Sequence, residues 1–171
     1  RNNCIIMIRL SLEQINRKTL YSVWQSSYGE YRFHTTLGIN YSISFEEETP
    51  VGGCDTYQFV IKKIDDLKSP HDPKVEQTIL AIIDQFFIEH LDVLLYMCDD
   101  SDGREANRNR LFLSWFKKNA DAERFAIRTA NATVEGKGFY AVIIVERRNP
   151  LLEAIIDEFE ATAKVLTEGK P

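Results

Sequence analysis

Cys98, Asp99, Asp100 and Asp102 stand in a row just before Arg104, Arg108 and Arg110. Few stretches of the chain carry so many groups able to do chemistry. Opposite charges one or two helical turns apart pair readily, so the plainest reading is a structural network of carboxylates and arginines. A second reading is anion binding. Arg104 and Arg108, four apart on a helix, share a face near its positive N-terminus and could grip a phosphate or carboxylate. A third is a divalent metal on Asp99, Asp100 and Asp102, since hard cations favour carboxylates. No distant set of Asp, Glu, His and Lys completes a nuclease pattern, and Asp102 is taken by a capping role. We therefore expect no metal and no cofactor. Cys98 ends an apolar run, where a buried inert thiol is the ordinary outcome and a nucleophilic or redox thiol the alternative. His34, His71 and His90 lack ligand spacing and read as structural or solvated.

The elements that must hold these groups follow from periodicity. Val93–Met97 is apolar on both faces, as a covered central strand is. Asp102 and Glu105 form a D-x-x-E capping box that opens a helix running to about Asn119. Upstream, residues 11–25 approximate an amphipathic helix with Ser11 as its cap. Tyr31–Phe45 alternates around a turn at 37–40 and reads as a hairpin. Residues 49–53 read as a loop, and Thr56–Ile64 as a third strand. Asp72-Pro73 starts a helix whose apolar positions recur down to His90. Strands at about 124–134 and 138–147 flank the Glu135–Gly138 turn, and Asn149-Pro150 starts a last amphipathic helix.

The order α–βββ–α–β–α–ββ–α predicts one α+β domain, a mostly antiparallel six-stranded sheet with helices on its faces. The length of 171 residues suits a single core, with residues 1–10 an extended segment and Met7 a candidate natural start. A net charge of −5 argues against nucleic acid as partner. Three cysteines without C-x-x-C spacing suit a reducing cytoplasm. No apolar run is long enough to cross a membrane.

Two resemblances extend this reading. The run Tyr96-x-Cys98-Asp99-x-x-Asp102-x-Arg104-x-x-x-Arg108-x-Arg110-Leu111-Phe112-x-x-Trp115-Phe116 resembles an uncharacterised family of small bacterial proteins, a domain of unknown function. The likeness extends from the Tyr31-x-Phe33 hairpin to about the last helix. It implies a bacterial cytoplasmic protein and no particular chemistry. The order of elements is also similar to the GCN5-related acyltransferase fold. That resemblance implies that Val93–Met97 splays from Thr56–Ile64 to admit acyl-CoA, that the helix at 72–90 receives the pyrophosphate, and that Tyr140 is the counterpart of a late general-acid tyrosine. The Gly-rich phosphate loop of that fold is missing. Residues 64–74 hold no glycine, Pro73 removes an N–H, and Asp65, Asp66 and Asp72 would repel phosphate. The resulting expectation is a non-enzymatic interaction or regulatory module with a protein partner, open to homodimerisation. The alternative is a divergent acyltransferase or small-anion enzyme using the cleft beside Val93–Met97. Cys98 and Tyr140 are its catalytic candidates, and Asp99, Asp100, Asp102, Arg104, Arg108 and Arg110 its anion-binding or structural set.

Overall fold

The structure is a computed structural model that describes residues 8–65, 67–68, 70–99, 101 and 103–168, without the side chains of Glu105 and Glu168. Four helices and seven strands alternate along it. In chain order they are α1 (Leu12–Lys18), β1 (Trp24–Gln25), β2 (Tyr31–His34), β3 (Asn40–Val51), β4 (Cys54–Lys63), α2 (Pro73–Glu89), β5 (Val93–Asp99), α3 (Gly103–Asn119), β6 (Phe125–Val134), β7 (Lys137–Glu146) and α4 (Leu152–Glu168). The strands form one sheet in the order β1-β2-β3-β4-β5-β7-β6. The α+β class stands, but the sheet has seven strands, not six, and it is mixed, because β4 and β5 run parallel. The extra strand comes from the stretch read as the end of the first helix. That helix stops at Lys18, and Thr19 is already extended (φ −110°, ψ 149°). Asn16 then holds the returning chain, donating to the Val23 carbonyl at 2.9 Å and accepting its N–H at 2.8 Å. Those side-chain bonds free Trp24 and Gln25 to pair with Arg32 and Tyr31 at the sheet edge.

Contacts divide the chain into two compact units, one of residues 1–47 and 59–90, the other of residues 48–58 and 91–171. In the first, alternate residues of β2 to β4 bury Tyr31, Phe33, Ile43 and Phe59. Helix α2 supplies Ile82, Ile83, Phe86 and Phe87 to the same core. Phe45 stacks on Phe86 with ring centroids 5.1 Å apart. Each such ring is worth about 1.5–3 kcal/mol in burial alone. His90 stacks on Phe86 at 5.2 Å, which makes it part of this packing.

In the second unit β5 lies between β4 and β7 and pairs antiparallel with β7 from Leu94–Ile144 to Asp99–Phe139. The β6–β7 hairpin turns on Glu135 and Gly136, both with positive φ (52° and 80°). Two facing positive-φ residues match the right-handed twist of the strands they join. The same device makes the β3–β4 turn. Gly52 and Gly53 have φ of 59° and 78°, so β3 runs on to Val51 and the expected loop shrinks to two residues. A core of Cys54, Val93, Ile143, Val145, Ile155 and Phe159 lies between α4 and the sheet. Glu146, buried at the end of β7, is held by Arg124 and Arg148, each at 3.1 Å.

Candidate functional site

The two catalytic candidates named from sequence prove to be neighbours. β5 and β7 pair in a register that sets Cys98 directly opposite Tyr140. Cys98 is buried and Tyr140 half-buried. Tyr96, two residues before Cys98 on the same face, meets the Tyr140 ring edge-on at 6.5 Å between centroids. Helix α3 brings Arg110 over Tyr140, its guanidinium carbon 4.9 Å from the centre of the ring. The cation faces the negative face of the ring, an arrangement worth about 0.5–2 kcal/mol. The Arg110 Nε is buried and meets no hydrogen-bond acceptor among the described residues. Burial pushes the Tyr140 phenol above its ordinary value; the Arg110 charge opposes that shift and Cys98 adds to it. Tyr140 is thus held neutral, as a proton donor must be.

The rest of the charged set is placed unevenly. Asp99 ends β5 and accepts from Ser101, through its backbone N–H at 2.8 Å and its hydroxyl. Those bonds, with the charge of Lys137, hold its carboxyl below the usual carboxylate range. The two Ser101 bonds fix the strand-to-helix corner. Arg104 is exposed and Arg108 half-buried on α3. Asp100, Asp102 and the Glu105 side chain lie outside the described residues, and with them the capping box and most of the carboxylate set. Cys4 and Met7 lie outside them as well. Among the described residues no three His, Cys, Asp or Glu side chains converge as a metal would need. His34 packs near Trp24 at 5.6 Å and His71 faces Glu76 at 3.4 Å, so each has a local structural neighbour.

The first turn of α2, in the other unit, is closed by its own residues. Asp72 caps it, its carboxylate accepting the Lys74 N–H at 3.0 Å, and its carbonyl takes the Val75 N–H at 3.0 Å. Pro73 has no N–H to offer. Tyr21 donates its hydroxyl to the second Asp72 oxygen. A carboxylate thus already occupies the positive end of the helix.

Sequence reading missed one polar knot. Asn149 donates to the Leu91 carbonyl at 3.2 Å and to the Cys54 sulfur at 3.6 Å, and accepts the Leu151 N–H at 2.9 Å. It ties the strand ends of β4 and β5 to the start of α4. Asn149-Pro150 signalled the helix start, but its long-range bonds had no local signal. Burial raises the Cys54 thiol above its ordinary value, against the hydrogen bond from Asn149. That environment suits an inert thiol.

A family model of unknown function, DUF6169, matches residues 71–161, more than half of the chain. The chain belongs to this family. The DUF6169 match begins just before α2, after the Tyr31 hairpin, and takes in Cys98, Asp99, Arg104, Arg108, Arg110 and Tyr140. No curated protein and no solved structure matches the chain. Among the described residues no helix is long and apolar enough to cross a membrane.

Proposed function

We propose that this DUF6169 protein is a non-enzymatic interaction or regulatory module built on an acyltransferase-like sheet, and that it does not take acyl-CoA. The strand order with a single parallel step from β4 to β5 supports the acyltransferase-like arrangement. The capped start of α2 carries the non-enzymatic part. A pyrophosphate there would meet the Asp72 carboxylate in place of N–H donors, and like charges repel. A thermal-shift titration with acetyl-CoA and CoA tests the reading. A ligand at a hundred times its Kd adds about 2.7 kcal/mol of stability. The expected result is no shift with either, and a saturable shift overturns the proposal.

One set of observations favours a second reading, a divergent small-ligand enzyme. Cys98, Tyr140 and Arg110 converge at the end of β5. Tyr140, kept protonated by burial, would serve as the acid. This reading requires that Tyr140→Phe abolish turnover of any acyl donor found to bind.

A further inference from the structure

We infer that the second unit carries a binding site for a primary amine with an aliphatic or aryl-alkyl body, in the cavity between α4 and the sheet. The site is independent of the α2 argument. The cavity holds about 510 Å³, within the range of about 300–1,000 Å³ typical of small-ligand pockets. Its walls are apolar, among them Met97 on β5, Val134 on β6, Phe139 on β7 and Leu166 on α4. The space exists because the facing side chains are small. Ala130 and Ala141 are cross-strand partners, and Ala163 looks onto the same space from α4.

Helix α4 packs backbone-to-backbone at one end of this gap and approaches β6 at the other, so the space does not simply collapse. At one end Gly52 comes so close to Ile155 and Ala154 that an added Cβ would lie 2.5–2.6 Å from their backbone atoms. At the other, the Thr167 hydroxyl donates to Ala163 of its own helix at 2.8 Å and comes within 3.4 Å of the Asn131 carbonyl on β6. A cavity set between fixed supports is preorganised for its ligand.

The polar lining selects the head group. Glu48, from the end of β3, and Glu158, on α4, bring two carboxylates to the cavity, and Glu158 is aimed by the Gly52 N–H that it accepts. Thr49 and Thr162 add hydroxyls, and among the described residues that line the cavity there is no Lys, Arg or His. An anionic head would face two carboxylates, so fatty acids and phosphorylated ligands are disfavoured. An ammonium finds its counter-charge there, while its hydrocarbon body leaves water for the apolar walls.

Isothermal titration of the full chain at neutral pH with octylamine, octanol and octanoate tests this. Octylamine should bind saturably, octanol roughly tenfold more weakly, and octanoate more weakly still. Glu48→Gln and Glu158→Gln combined should bring octylamine down to the affinity of octanol. Ala163→Phe fills the cavity and should abolish binding of all three, with Ala132→Leu as the second filling variant should the first fail to fold. The inference is overturned if octylamine does not bind, if octanoate matches it, or if binding survives the filled cavity in a folded variant.

Discussion

Gly52 offers the sharpest quantitative test of how the second unit is assembled. Both Gly52 and Gly53 have positive φ, so an alanine at either incurs the left-handed penalty of about 1–2 kcal/mol. Only Gly52 has a second reason to be glycine. A Cβ there would fall 2.5 Å from the Ile155 nitrogen and 2.6 Å from the Ala154 carbonyl carbon, whereas one at Gly53 would meet nothing within 4 Å. Backbone atoms cannot rotate away as a side chain can, so α4 must shift, at a further cost of about 1–3 kcal/mol. Gly52→Ala should therefore lose about 2–5 kcal/mol and Gly53→Ala about 1–2. Urea unfolding of both variants and the parent, read as midpoints at a common slope, measures the difference. Equal losses for the two glycines would refute the close approach of the turn to α4. A shifted helix also withdraws Glu158 from the Gly52 N–H, so Gly52→Ala should weaken octylamine binding as well.

Three other outcomes follow from named contacts. Asn149→Ala removes the acceptor of the Leu151 N–H and leaves the Leu91 carbonyl only the weak Cys54 thiol as donor, so urea unfolding should show a loss of about 1–3 kcal/mol, and a loss near zero would contradict its tying role. Tyr140 has its folded value raised above 10.0, so its contribution to stability is present below pH 10.0 and lost as pH rises through the folded value; in tyrosinate absorbance, Tyr140→Phe should delete a late-titrating group and Arg110→Ala should delay it further. Asp65 is held below its ordinary 3.8 by the Asn40 N–H and side-chain amide, so its contribution is present above pH 3.8 and lost as pH falls through the folded value. Asp65→Asn should flatten the acid limb of a melting-temperature profile, and an unchanged limb would contradict the bond.

Much of the frame was legible because it rests on local periodicity. The hairpins and the helices at 73–89, 103–119 and 152–168 each carry a repeat of two or 3.6 residues, and Asp72-Pro73 fixes its own helix start. The short first helix was read too long because Leu20 and Val23 sustain a helical pattern that Asn16 overrides through hydrogen bonds to Val23. Leu20 ends up 67% exposed, so its place in the pattern was coincidental. The Thr49–Gly53 stretch looked like a loop because of its Pro and two Gly, yet two glycines suffice for the turn and the strands take the rest. Cys98, Tyr140 and Arg110 were each identifiable, but their meeting depends on the β5–β7 register and the docking of α3, which no local window contains. The cavity left a weak signal in the alternating Ala130 and Ala132, small residues on the sheet face that α4 covers.

The start of α2, closed by Asp72 and Pro73, is where the proposal that the protein takes no acyl-CoA is most exposed to test. Amide NMR spectra of the full chain, recorded while acetyl-CoA is added, address it at the residues concerned. The Lys74 and Val75 signals should stay where they are, because Asp72 already accepts both N–H groups. Saturable movement of those two signals, strengthened by Asp72→Ala, would mean that the helix start binds the cofactor after all.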